Sequence, residues 1–289
     1  MVIRVAVGRA DVAREIRAAA PLISDLASPV TARGPWLTAV LNSLSASPLA
    51  RDRPRALVTE QPQGRLDGLA LLSFRRRGPA TAVSLLGDAA RPVPGGGPSS
   101  RLYARDDDAA SRLAEAVSDQ LHQLRGPWTL RLAGLPMGDP TLGRLAAALP
   151  TASIANSRSR RLVDELDAVP GTVRTTDPAE VERRLPALLS RLPTADRPFA
   201  RASARLHAAI GALEVAVVPA AAGIGAGGIA AGLVTLLDTG GSGTPGSPAR
   251  WPWWGWSEVG GLRSELGSPV VALTASAGLW RTGRRAPVR

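Results

Sequence analysis

The chain has no cysteine and no lysine. Without cysteine it can form no disulfide, no thiolate metal site and no thiol nucleophile. Without lysine, all 35 basic side chains are arginine, set against 24 acidic ones for a net charge of +11. Aromatic residues are scarce, at 3% of the 289 residues, so Ala, Leu and Val must fill the core. No Ser sits in a Gly-x-Ser-x-Gly setting and no metal-ligand spacing is visible, so no metal is expected. Long apolar runs are also missing. Residues 215–237 carry no charge, but they are mostly Ala and Gly around Pro219, closed by Glu214 and Asp238. They read as two strands joined by a glycine loop, and no membrane span is expected. Residues 1–8 are strand-like and lack the basic and long apolar regions of a signal peptide, so a cytoplasmic location is expected.

The positive charge suggests a polyanion partner. The arginines are spread along the chain, however, and Ala, Gly and Pro are abundant too, as a GC-rich genome gives. Nucleic acid is therefore kept as a secondary partner. The oligomeric state has no sequence signal.

What the chain has is a patterned middle. Residues 54–88 hold three apolar runs separated by turn chemistry at residues 61–64 and 77–79, which predicts an antiparallel meander. Around it the spacing predicts a strand at 3–7, a helix opened by Asp11, and a helix whose one face carries Trp36, Val40, Leu41 and Leu44. Asp106, Asp107 and Asp108 open a helix to Leu124, and strands come next at 128–133 and 154–163 with a helix between them. The second half repeats this coarsely, with two helices after Pro178 and then a meander. The expected division is a complete domain over 1–163, a linker at 164–174, a truncated second domain over 175–280, and a basic tail at 281–289.

Arg75, Gly78 and Ala80 fit the pattern Arg/Gln-x-x-Gly-x-Gly/Ala, with which GNAT acetyltransferases bind the coenzyme A pyrophosphate and which needs a helix directly after it. Residues 81–86 look like a strand instead, so the other reading is a basic hairpin turn. Gly95, Gly96 and Gly97 form a second candidate phosphate loop, but the three aspartates beyond it would repel the anion. Residues 223–228 match Gly-x-Gly-x-x-Gly without the βαβ context a dinucleotide needs. Trp251, Trp253, Trp254 and Trp256 fall within six residues. They suit either a stacking platform for a substrate or partner, or bulk for an Ala-rich core. Strict alternation would send Trp254 and Trp256 to one face and Trp251 and Trp253 to the other. Glu258 lies just after them and is the candidate general base. His122 and His207 share no motif spacing with each other or with a carboxylate pair.

The order of elements over 1–163 is similar to the GNAT superfamily, and looks most like the FemAB-like acyltransferases that join two such domains in one chain. The resemblance rests on Gly34-Pro35-Trp36-Leu37, on residues 64–70, on Leu85-Leu86-Gly87-Asp88 and on residues 102–106. It implies an α/β (α+β) fold of acyl-CoA N-acyltransferase type, with a mixed, mostly antiparallel central sheet flanked by helices. It also implies transfer of an acyl group, from acetyl-CoA or another acyl-CoA or from a charged tRNA, to an amine of a small molecule or cell-envelope precursor. The alternative is an inactive binding module of the same fold that contacts an acidic partner or nucleic acid. A splay between strands at 69–74 and 83–86, or between their second-half equivalents, would mark the site.

Overall fold

A computed structural model describes residues 2–46, 52–88, 90–220, 228–238 and 249–278. The glycine motif at 223–228, for all but its last residue, and the basic tail lie outside the described residues.

The first part runs β1 (Val2–Val7), α1 (Arg9–Ala18), α2 (Ala20–Asp25), α3 (Gly34–Ala46), β2 (Asp52–Glu60), β3 (Leu66–Arg77) and β4 (Ala80–Leu85). Then come a two-residue β5 (Tyr103–Ala104), α4 (Asp107–His122), β6 (Trp128–Pro136), α5 (Pro140–Ala148) and β7 (Ser153–Asp164). The remainder is β8 (Val173–Thr175), α6 (Pro178–Ser190), α7 (Arg197–Ala209), β9 (Leu213–Pro219), β10 (Ile229–Asp238), β11 (Ala249–Ser257) and β12 (Leu262–Ala277).

The mixed, mostly antiparallel sheet flanked by helices is there. Its order is β1-β2-β3-β4-β6-β12-β7, with β5 continuing the line of β4 against β3. Among the described residues only β4 and β6 pair in parallel. The meander forms as patterned, with Leu57 opposite Ala70 and Phe74 opposite Val83. A smaller antiparallel sheet has the order β11-β10-β9-β8. The uncharged stretch is thus the β9–β10 pair, and no helix among the described residues is long and apolar enough to cross a membrane. The strand after the Trp run is longer than the pattern suggested. It leaves the smaller sheet and lies between β6 and β7 in the larger one.

Period-two alternation sorts the core into two layers. Leu57, Ala70, Leu72, Val83, Leu130 and Leu273 face α4 and α5. Ala56, Val58, Leu69 and Leu71 face the other way, onto α1, α2 and α3. That second layer continues without a break through α6 and α7 to Val215, Val234 and Leu236 of the smaller sheet. The helices of both halves therefore share one core between the two sheets.

Trp36 is its hub. Its ring meets Phe199 of α7 at 5.2 Å and Trp253 of β11 at 5.3 Å, both edge-on, and His207 at 6.3 Å. His207 is buried, with Nδ1 2.7 Å from the Ser203 carbonyl, to which it donates. Burial lowers its pKa from the ordinary 6.5, and the bond to Ser203 offsets this only in part. The unfolded chain takes up a proton near pH 6.5 that the folded chain refuses, so this stability is present above 6.5 and is lost as pH falls below it. Urea unfolding at pH 7.5, 6.5 and 5.5 should show stability falling in acid, with His207→Gln flattening the fall. The limit for one proton is about 1.4 kcal/mol per pH unit. An identical acid slope in the variant would remove His207 as the cause.

Candidate functional site

β4 and β6 pair from Thr81 opposite Trp128 to Ser84 opposite Arg131, and then part. The expected splay between β3 and β4 does not occur, since these two stay paired from Leu72 opposite Leu85 to Arg77 opposite Ala80. The reason is local: a parallel pair has no hairpin to hold its register, whereas β3 and β4 are tied by the turn at Gly78, with φ 60°.

The chain itself fills the gap beyond Arg131. The Ser99 and Ser100 amides both donate to the Gly134 carbonyl, at 2.9 and 3.1 Å. Thr31 Oγ1 donates to the Ser99 carbonyl at 2.8 Å. The Gly96 amide donates to the Arg160 carbonyl of β7 at 2.9 Å. A Cβ on Gly95 would lie 1.7 Å from that same carbonyl oxygen, so the backbones meet too closely for any side chain. The triple glycine is thus a packing contact between loop and sheet. The helix starts on this side are occupied by their own carboxylates. Asp106 accepts from the Ala109 amide at 2.7 Å, and buried Asp139 accepts from Thr141 and Leu142 at 3.0 and 3.1 Å. Burial pushes Asp139 up, against those backbone bonds.

The opposite face of the same strands carries a cleft of about 460 Å³. Its floor is built by the alternate positions of three strands: Ser73, Arg75 and Arg77 of β3, Ser84 of β4, and Thr129 and Arg131 of β6. Their neighbours Leu72, Phe74, Val83 and Leu130 go into the α4–α5 core. α3 and the start of α7 form the wall through Val40, Ser43, Asp196 and Phe199. Four guanidiniums, of Arg75, Arg77, Arg91 and Arg131, line it with three carboxylates, of Asp52, Asp88 and Asp196. The pairing is loose. Arg75 stands 3.9 Å from Asp52, and Arg131 stands 3.9 Å from Asp88. Ser73 Oγ donates to Asp52 at 3.1 Å, and Arg91 donates to the carbonyls of Asp88 and Ala90. Two ion pairs at that distance leave most of their hydrogen-bonding capacity free for a ligand. A smaller chamber of about 190 Å³ adjoins the cleft and shares Gly87, Asp88, Arg91 and Arg131 with it.

Of the residues singled out in the sequence, Arg75 lines the cleft. Gly78 makes the β3–β4 turn beside it, and Ala80 begins strand β4 where a pyrophosphate site would need a helix. Glu258 belongs to the other sheet, where its carboxylate accepts from Arg191 at 2.7 Å, and it is not brought to the cleft. Arg191 in turn lies over the Trp256 ring at 5.4 Å. Trp253 and Trp254 are buried, and Trp253 Nε1 donates to the Pro92 carbonyl at 2.8 Å. Alternation fails in this run because Trp253 is an extra residue: Val234 pairs with Trp254, yet Thr235 pairs with Pro252. That bulge shifts the phase by one, so Trp251, Trp254 and Trp256 lie opposite Leu236, Val234 and Gly232 on one face. A Cβ on Gly232 would come within 2.8 Å of Trp256 and 2.5 Å of Leu188, which is why glycine stands there. Sequence reading missed Asp52, Asp88, Arg91 and Arg131. For Arg131 the signal was present as polar residues at alternate positions of β3 and β6, whereas Asp52 opens β2 and Asp88 and Arg91 lie in the turn after β4. Among the described residues no group of three or more His, Asp or Glu could hold a metal ion.

No protein-family model matches the chain, and no curated protein sequence does. Among solved structures it is similar to a tandem GNAT protein from the clavulanic acid biosynthesis pathway. That match has a TM-score of 0.39 and 14% identity, and covers 96% of this chain and 99% of the other. It is also similar to FemX, with a TM-score of 0.43 and 11% identity, over 77% of this chain and 56% of FemX.

Proposed function

We propose that the chain is an acyltransferase that moves an acyl group from an acyl-CoA to the amine of a small molecule held in the arginine-lined cleft. The observation that carries this reading is the set of four guanidiniums around a cavity at the point where parallel strands part. A pyrophosphate fits them, because planar forks at loose pairing distance can turn to phosphate oxygens. Arg75, Arg77 and Arg91 would hold the donor's phosphates, and Arg131, at the border with the smaller chamber, would face the acceptor. When bound, acyl-CoA supplies a thioester carbonyl open to attack by an amine. Asp52, which accepts from Ser73, stands 3.9 Å from Arg75 and would keep that guanidinium at the β3 side of the cleft. For attack the acceptor's ammonium would first give a proton to water in the open cleft, and the coenzyme A thiol would leave as the thioester C–S bond breaks. The donor approaches from this face, since the starts of α4 and α5 already hold their own aspartates.

Calorimetric titration with acetyl-CoA tests the reading. Arg75→Ala and Arg77→Ala should each weaken binding about tenfold or more, as expected for losing a charge-assisted hydrogen bond of ~1.5–3 kcal/mol. Absence of heat and of any melting shift at millimolar acetyl-CoA would sink it.

A further inference from the structure

The small chamber next to the cleft has a charge arrangement of its own. It sits where β4 turns away from β6, closed behind by Ser99 and Ser100 and floored by Gly134. Its volume, about 190 Å³, equals roughly six waters at ~30 Å³ each, which is too small for a nucleotide. Trp36 forms one wall and is 2% exposed. Its indole N–H has no hydrogen-bond partner among the described residues, and Nε1 lies 3.9 Å from where a Cβ on Gly87, another wall residue, would stand. That N–H faces the chamber, where it can donate to water or to an acceptor held inside. At the mouth, Asp88 and Arg131 face each other at 3.9 Å, and Arg91 is held beside them by the carbonyls of Asp88 and Ala90.

We propose that this chamber binds a small α-amino acid, with its ammonium on Asp88 and its carboxylate between Arg131 and the Trp36 indole N–H. Asp88, Arg131 and the neutral Trp36 donor match a zwitterion in sign, with the second guanidinium, of Arg91, donating to the carbonyls of Asp88 and Ala90. A plain carboxylic acid would leave Asp88 facing another anion, and a plain amine would leave Arg131 and Trp36 without an acceptor. The proposal rests on the acyl-transfer reading for its consequence, because the bound amine would then be the acyl acceptor. Binding itself does not depend on that reading.

The test uses the full chain without acyl-CoA. Glycine, L-alanine and L-serine are titrated by calorimetry and by ligand-observed NMR, beside glycinamide, which lacks the carboxylate, and propionate, which lacks the ammonium. At least one amino acid should bind at least tenfold more tightly than both control compounds. Asp88→Asn and Arg131→Gln, both on partly exposed side chains, should each weaken that amino acid at least tenfold. Equal binding of all three classes, no amino-acid binding at 20 mM, or unchanged amino-acid binding in both variants would overturn the proposal. If an amino acid binds as described while acetyl-CoA does not bind, the acyl-transfer reading fails and the chamber's assignment stands.

Discussion

A chain stopped after Gly261 is expected to lose the larger sheet as well as the last strand. β12 pairs with β7 from Leu262 opposite Asp164 to Thr274 opposite Ser153. On its other edge it pairs with β6 from Val270 opposite Pro136 to Ala277 opposite Trp128. β6 and β7 have no direct pairing with each other. Removing β12 therefore exposes two strand edges and strips Val271, Leu273 and Ala275 from the α4–α5 core. The side chains of Val271 and Leu273 alone cost about 1.5–3 kcal/mol each, and the unpaired backbone groups add to this. A domain's whole stability is about 5–15 kcal/mol, so the loss is of the same size. Circular dichroism and denaturant unfolding of the shortened chain should show no cooperative transition. Adding a synthetic peptide of residues 262–277 should restore one. Native-like cooperative melting of the shortened chain alone would show that the first 164 residues fold without the strand.

That dependence lay beyond what local pattern could show. The run at residues 269–274 marks a strand, and Val270, Val271 and Leu273 of it are buried. It does not say which sheet receives the strand, because pairing partners more than a hundred residues away leave no local trace. The meander at 54–88 was legible for the opposite reason: its turns lie between the strands they join, and Gly78 at φ 60° fixes the register of the second pair. The helix led by three aspartates was legible through its cap, as Asp106 does accept from Ala109. Of the cleft, Arg75 was legible through its motif, but the motif drew attention to Gly78 and Ala80 along the chain. The residues that join Arg75 in space come from β6 and from the turn after β4. Arg131 carries no motif and Asp88 only ends the run at residues 85–88 on which the resemblance partly rests, and they become a pair only when parallel strands bring them within 3.9 Å. The Trp run was legible as unusual, while its geometry depended on one bulge.

Replacing Trp253 by Ala should cost about 3–5 kcal/mol, the range for a buried Trp or Phe truncated in a core that cannot collapse. Trp253 is 4% exposed and packs edge-on against both Trp36 and Trp254. Its indole N–H reaches the Pro92 carbonyl, at the start of the segment that fills the gap between β4 and β6. It thus joins three pieces: the smaller sheet, α3 of the first half, and the segment behind the chamber. Trp253→Phe keeps a ring and loses chiefly the bond to Pro92, so it should cost less, about 0.5–1.5 kcal/mol for that bond plus some packing. Urea unfolding of both variants at pH 7.5 separates the two readings of the Trp run. A core role requires a large drop in midpoint for Ala and a smaller one for Phe. A stacking role requires near-native midpoints in both, with ligand affinity lost instead. Because Trp253 holds Trp36 from one side and Pro92 from another, the Ala variant should also loosen the segment at residues 92–100, seen as faster hydrogen exchange at the Ser99 and Ser100 amides. Faster exchange there without a change in global stability would place Trp253 in the support of the chamber rather than in the core.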